Sequence, residues 1–136
     1  MSVREIKLQA WLGHCMVQVT SLNLMKNTKG EYESLSTGYF VKGENKGSHT
    51  GFYLESAKLR QFTSLLDKNG REIYEGDVVK FHYKRGIYKI GPVVWNYMFG
   101  SWNIDCAEFV AYKSLGQFNS VSEVIGNIYE NPELFR

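Results

Sequence analysis

The sequence is poor in the features that direct a chain to a membrane or to a strongly charged partner. No run of apolar residues among its 136 residues approaches a membrane span, and the opening MSVREIKLQAW lacks the apolar stretch of a signal peptide. The formal net charge of +2 is too small to imply a partner by itself. We therefore expect a cytoplasmic protein that makes no membrane contact.

Cysteine and histidine are also scarce, which limits metal and redox chemistry. Cys15 and Cys106 are isolated and lack a CxxC neighbour, so reduced thiols are expected instead of a disulfide. His14, His49 and His82 match no compact zinc spacing, and the scattered glycines form neither a GxGxxG nor a Walker pattern. The sequence predicts no metal and no cofactor, unless the fold brings distant residues together.

Candidate catalytic side chains are equally sparse. His14 and Cys15 could act as a base and a nucleophile, but adjacent residues on a strand point to opposite faces and cannot bond each other. Glu72, Glu75 and Asp77 crowd one turn and could hold a cation or act as acid and base, although such residues more often bond nearby backbone amides. We predict no catalytic residue, and an enzyme is the least favoured of three functional alternatives.

What the chain does contain favours β structure. Thirteen Gly, nine Tyr and eight Phe with only two Pro are typical of short strands joined by tight turns. Residues 78–83 alternate in polarity, and Arg85-Gly86 predicts a hairpin into the next strand. Asn131-Pro132 predicts an Asn-capped terminal helical turn. These elements predict a mainly β chain whose C-terminal half is a small SH3-like β-barrel.

The first half alternates between strand-like and turn-like pieces and is predicted to be an additional β-rich portion. The polar segment GENKGSHTG at residues 43–51 holds three glycines and predicts a loop tip or a linker. We place a domain boundary after it, near Ser56. The predicted organisation is therefore a β-rich N-terminal portion at residues 1–56 and the barrel at residues 57–136.

Two segments carry a family resemblance: LRQFTSLLDKNGREIYEGDVV at residues 59–79 and VIGNIYENPELF at residues 124–135. Together with REIK and AW near the start, they resemble the YopX family, small proteins carried mainly by phages and prophages of Gram-positive bacteria. In that family Gly is usual where Ser64 stands, and Lys where Leu66 stands. The resemblance implies the SH3-like fold and the cytoplasm of a bacterial host, but no mechanism, because the family has no established activity. We interpret the turn residues of both segments as determinants of the fold.

Nucleic-acid binding is the second functional alternative. Basic side chains lie along one predicted hairpin, interleaved with Tyr83 and Tyr88: Lys80, His82, Lys84, Arg85 and Lys89. Many barrel modules hold single strands in a basic groove with aromatic residues for stacking. Residues 59–136 contain nine basic (Lys and Arg) and nine acidic residues, and this balance favours the plainer interpretation of a solvated hairpin.

The favoured alternative is a non-enzymatic binding or assembly role. Phe99 and Trp102 flank a glycine turn, where large apolar groups are hard to bury within a small barrel, and Trp95 lies on the same predicted hairpin. Exposed aromatic clusters of this kind often mark an association surface. We predict that Trp95, Phe99 and Trp102 contact another subunit, or a phage or host protein, so that the chain forms an oligomer. The competing interpretation places the tryptophans in the core.

Overall fold

A computed structural model of the chain describes residues 4–19, 24–26, 28–30, 32–34, 39–41, 44–45, 58–106 and 113–135. These residues form mainly antiparallel strands with one short α-helix, which confirms the predicted mainly β class. No helix in the described part of the chain is long and apolar enough to cross a membrane. The chain divides into two units: an N-terminal unit, Ile6–Gln61, and a C-terminal unit, Phe62–Arg136 together with Met1–Glu5.

The N-terminal unit is built from short antiparallel pairs. Its strands are β1 (Leu8–Trp11), β2 (Met16–Val19), β3 (Leu24–Lys26), β4 (Tyr32–Ser34), β5 (Tyr39–Val41), β6 (Glu44–Asn45) and the first residues of β7 (Lys58–Leu66). Strand β1 pairs with β2 on one side and β7 on the other, so that Ala10 lies opposite both Val17 and Leu59. Ala10 and Val17 are fully buried. The predicted linker lies outside the described residues except for Glu44 and Asn45, and the predicted boundary near Ser56 lies wholly outside them.

The C-terminal unit contains a five-stranded antiparallel sheet. Its elements after β7 are β8 (Glu72–Tyr74), β9 (Asp77–Lys84), β10 (Ile87–Asn96), β11 (Ser101–Ile104), β12 (Lys113–Ser114), α1 (Leu115–Phe118), β13 (Ser122–Asn127) and 3₁₀ turns at Asn119–Val121 and Pro132–Phe135. The strand order is β12-β11-β10-β9-β13. Because β12 and β13 form opposite edges of this sheet and do not pair with each other in the described part of the chain, the sheet is not closed, and the predicted SH3-like barrel is not confirmed.

The core of the C-terminal unit lies on one face of this sheet. Val79 and Phe81 alternate inward along β9, as the polarity pattern predicted, and Val93 and Ile104 meet them from β10 and β11. Burying each such side chain contributes about 1.5–3 kcal/mol. Cys106 belongs to the same buried cluster.

The carboxylate of Asp67 joins the turn after β7 to strand β13. It accepts hydrogen bonds from the backbone N–H groups of Asn69 at 2.8 Å, Arg71 at 3.0 Å and Val124 at 3.0 Å. Burial alone would raise the pKa of this carboxyl, but the three amides and the Arg71 charge outweigh burial and lower it from 3.8. The side chain therefore holds a local turn and a distant strand in one arrangement.

Other turn residues of the two family segments also have structural partners. The Asp77 carboxylate accepts the Tyr74 amide at 2.7 Å, which closes the turn between β8 and β9. Asn127 accepts the backbone N–H groups of the two residues at positions 129 and 130. The predicted terminal turn is present at Pro132–Phe135 as a 3₁₀ turn, but Asn131 accepts from the Asn127 amide instead of capping it. These contacts support the interpretation of the segments as determinants of the fold.

Candidate functional site

The predicted basic hairpin brings three of its side chains together on the outer face of the sheet. On β9, Lys80 and His82 share the side opposite to the buried Phe81. Tyr88 lies directly across from His82 on β10, with the ring centroids 5.2 Å apart. The Lys80 Nζ atom lies 5.2 Å from the centroid of the Tyr88 ring. This outer cluster is a small cationic and aromatic surface.

The structure does not bring all five basic side chains to that surface. Lys89 pairs with Phe81, and directly opposed residues share a face, so Lys89 belongs to the inner face of the hairpin. Lys84 and Arg85 are exposed at the hairpin turn. Glu123 lies across from Lys80 on β13 and pairs with Lys68 at 3.7 Å, which places a carboxylate beside the cluster. The five basic side chains therefore do not all lie on one face of the hairpin.

Lys113 is a further basic residue near this hairpin that the sequence did not indicate. The Nζ atoms of Lys84 and Lys113 lie 5.2 and 4.9 Å from the centroid of the Tyr83 ring. Lys113 lies on β12, far from β9 in sequence. No local pattern could have indicated its proximity, because the pairing of β12 with β11 brings it there.

Among the described residues of the C-terminal unit, the hairpin between β10 and β11 presents the most exposed apolar side chains. Its turn residues Tyr97, Met98 and Phe99, here named the hairpin tip, are 86%, 77% and 75% exposed. Trp95 and Trp102 lie opposite each other below the tip, with ring centroids 5.0 Å apart in an edge-to-face arrangement. Of the predicted interface residues, Phe99 is exposed, Trp95 is 46% exposed, and Trp102 is partly buried against the core. The sequence prediction did not include Met98 in the interface, although its position beside Phe99 in the predicted turn indicated that it would be exposed.

Buried amides hold the hairpin tip in one conformation. Asn96 and Asn103 are both buried, and the Asn96 Nδ2 donates to the Asn103 Oδ1 at 2.9 Å. The Asn96 Oδ1 accepts the backbone N–H of Met98 at 3.0 Å, and Gly100 closes the turn with a φ of +61°. A tip fixed in this way loses little conformational entropy when it binds.

A cleft of about 340 Å³ opens beside the tryptophan pair. Its lining residues all belong to the C-terminal unit: Arg4, Thr63, Leu65, Trp95, Gly100, Ser101, Trp102, Ser114 and Gly116. The Arg4 Nε donates to the Ser64 Oγ at 3.0 Å at its edge. The Trp102 Nε1 is buried and has no hydrogen-bond acceptor among the described residues.

The described candidate catalytic residues belong to two different units of the chain. His14 and Cys15 lie in the connection between β1 and β2, so the prediction that placed them on a strand is wrong. The Asp77 carboxylate is committed to the Tyr74 amide. Within the described residues, no group of three or more His, Cys, Asp or Glu side chains could hold a metal ion, and His49 lies outside them.

Comparison with known proteins identifies the fold and the family but no activity. The family model described as YopX protein matches residues 10–136. The crystal structure of protein EF1440 from Enterococcus faecalis is similar to this chain, with 21% sequence identity and a TM-score of 0.62. The match covers 98% of this chain and 100% of the other chain. The crystal structure of protein yopX from Bacillus subtilis is also similar, with 19% sequence identity and a TM-score of 0.61. The match covers 96% of this chain and 98% of the other chain. No curated protein matches the sequence significantly.

Proposed function

We propose that this chain, which belongs to the YopX family, is a non-enzymatic assembly component that binds a second protein, in the first instance another copy of itself, through the hairpin tip. The observation that carries the proposal is the exposure of three large side chains in succession, Tyr97, Met98 and Phe99. Aromatic residues and methionine are enriched at protein interfaces, and large apolar groups clustered on a surface favour association.

Three further features support self-association. The tip is held by the buried Asn96–Asn103 pair, so it offers a preformed contact surface. The formal net charge of +2 gives little repulsion between copies of the chain. The edge strands β12 and β13 have no second sheet partner within the described residues, and association is one way in which proteins cover such edges.

The proposed setting is the cytoplasm of a bacterial host that carries a phage or prophage. It is supported by the likeness of the sequence segments to a phage-associated family, and by the bacterial sources of both similar structures. An assembly role needs no cofactor, and the proposal includes none.

Light scattering after size exclusion, performed over a range of protein concentrations, tests the proposal. We expect an oligomer that dissociates on dilution, and a Phe99→Asp variant that is monomeric at concentrations where the natural chain is not. A central aromatic contact typically contributes about 2 kcal/mol or more, which corresponds to roughly thirtyfold weaker association. The matched control is Ile6→Asp, since Ile6 is 87% exposed but lies outside the tip.

Two results would contradict self-association through the tip. One is a natural chain that stays monomeric at every concentration, and the other is a Phe99→Asp variant that associates as strongly as the natural chain. Nuclease treatment of the lysate separates this proposal from the next one, because a protein-mediated oligomer keeps its mass after treatment.

Nucleic-acid binding is a second candidate, supported by the outer cluster of Lys80, His82 and Tyr88. Stacking of bases on an exposed Tyr with neighbouring cations is how many modules hold single strands. Replacing Lys80, Lys84 and Arg85 with Glu should then weaken binding to a labelled single-stranded oligonucleotide, and raising the salt concentration should also weaken binding by the natural chain. Unchanged oligonucleotide affinity in this triple variant would argue against a nucleic-acid role for the hairpin.

A further inference from the structure

The cleft beside the tryptophan pair lies next to a strained backbone position. Ser64 has a φ of +71° and is the only non-glycine residue in the described part of the chain with a positive φ. This left-handed conformation is unfavourable for residues with a Cβ atom, and such residues are often found where a ligand is held. The position coincides with an irregularity in the pairing of β7 with β8, between Phe62 and Leu66. The two neighbours of Ser64, Thr63 and Leu65, both line the cleft.

The Ser64 hydroxyl binds the side chain of Arg4. It accepts the Arg4 Nε at 3.0 Å, across 60 positions of sequence. The two terminal nitrogen atoms of the Arg4 guanidinium make no hydrogen bond or ion pair with the described residues. A guanidinium anchored at Nε keeps the geometry that binds a carboxylate or a phosphate. None of the described residues that line the cleft is acidic, so none of them offers Arg4 a competing carboxylate.

The remaining lining residues suit a planar body attached to such an anion. Trp95 and Trp102 meet edge to face, and Trp95 keeps 46% of its surface exposed. Gly100 also lines the cleft and has no side chain that could fill it. The Ser114 hydroxyl makes no capping bond to α1, and the Trp102 Nε1 still needs an acceptor. The volume of about 340 Å³ lies at the lower end of the range for small-molecule sites, about 300–1,000 Å³.

We propose that this cleft binds a small planar molecule that carries an oxyanion, and that Ser64 positions Arg4 to bind the oxyanion. The planar part packs on the exposed surface of Trp95. The oxyanion, which is the carboxylate of an aromatic acid or the phosphate of a nucleotide, pairs with the terminal nitrogen atoms of Arg4. Arg4 and Ser64 lie outside the hairpin tip, so variants at these two positions leave the tip residues unchanged.

The test is a titration of the ¹⁵N-labelled protein observed by NMR at the indole N–H groups. Indole-3-acetate is the carboxylate probe and adenosine 5′-monophosphate is the phosphate probe, and the neutral analogues indole-3-acetamide and adenosine are their controls. The Trp102 signal is assigned by its loss in Trp102→Phe. We expect a saturable shift of the Trp102 signal with at least one anionic probe and a much smaller shift with its neutral analogue. The probe that binds identifies the class of oxyanion.

Two variants test the roles of the two residues. Arg4→Gln should weaken binding by about tenfold or more, because it removes a charge-assisted pair. Ser64→Gly removes the hydroxyl and relieves the left-handed backbone, so it should weaken binding, and the urea unfolding midpoint of the same variant shows that it remains folded. Lys58→Gln is the control, since it removes one positive charge from an exposed residue that does not line the cleft.

Each contrary result overturns a stated part of the inference. The absence of any shift with both anionic probes at millimolar concentration would reject the site. Equal binding of the charged probes and their neutral analogues, or unchanged affinity in Arg4→Gln, would reject an oxyanion site. Unchanged affinity in Ser64→Gly would reject the positioning role of Ser64.

Discussion

Replacing Asp67 with Asn should destabilise the C-terminal unit strongly although the change removes only one charge. The carboxylate accepts three backbone N–H groups, one of which belongs to Val124 on the distant strand β13. Hydrogen bonds to a charged acceptor contribute about 1.5–3 kcal/mol each when water cannot replace them. The Val124 bond is buried, whereas the two turn amides are partly exposed and regain bonds with water.

The asparagine side chain cannot reproduce this arrangement. It keeps one oxygen for the turn amides, but it presents an NH₂ group where the second carboxylate oxygen accepted the Val124 amide. We therefore expect Asp67→Asn to lower the free energy of unfolding by about 2–3 kcal/mol. Urea unfolding followed by tryptophan fluorescence measures this loss, because Trp95 and Trp102 report on the same unit. With a urea slope of about 1–3 kcal/mol per molar, the midpoint should fall by roughly 0.7–3 M.

Acidification gives the second half of the test. The folded-state pKa of Asp67 lies below the value of 3.8 expected for an unperturbed carboxyl. The stabilisation that the Asp67 carboxylate provides is therefore complete above its unfolded-state pKa, and it is lost as the pH falls through the lower folded-state pKa. The difference in unfolding free energy between the natural chain and Asp67→Asn should shrink accordingly.

A control variant and a contrary result complete the design. Asp105→Asn removes an equal charge from an exposed carboxylate and should change stability by less than about 0.5 kcal/mol. If Asp67→Asn were as stable as Asp105→Asn at neutral pH, the assignment of Asp67 as the link between the turn and β13 would be refuted. A difference that did not change with pH would refute its electrostatic origin.

Two further predictions concern backbone positions in the same unit. Ser64→Gly should raise the free energy of unfolding by about 1 kcal/mol, since it relieves a left-handed backbone at φ +71° and gives up only an exposed hydrogen bond. Urea unfolding measures the change. A loss of stability would show that the hydrogen bond with Arg4 contributes more than the backbone strain costs. Gly91→Ala should lower the free energy of unfolding by about 2 kcal/mol or more, because the added Cβ would clash with the Asp105 carbonyl oxygen. Gly91→Ala with the natural midpoint would mean that β10 moves away from Asp105 without cost.

Much of the fold could be predicted because its determinants are local. Alternation along β9 indicated the burial of Val79 and Phe81, since side chains of a strand alternate between two faces, but it did not indicate that Val78 is also fully buried. Turns around Asp67 and Asp77 were indicated by residues that bond their own backbone within a few positions. The apolar hairpin tip was also partly visible, because Phe99 beside a glycine turn has little chance of burial.

The closure of the sheet could not be predicted in this way. A barrel requires its first and last strands to pair, and that pairing depends on lengths and bulges along the whole chain. The strand order leaves β12 and β13 at opposite edges of the sheet. The same limit applies to the basic hairpin, because only the observed pairing of Lys89 with Phe81 separates it from the outer cluster.

The sequence by itself determined the class of structure, the turns, the family and the apolar character of the hairpin tip, since each of these depends on residues close together in the chain. Only the tertiary structure decided the cleft and the strained residue beside it. Arg4 meets Ser64 across 60 positions, and Val124 meets Asp67 across 57. Such contacts depend on strand register and on bulges, where a shift of one residue moves every side chain to the other face.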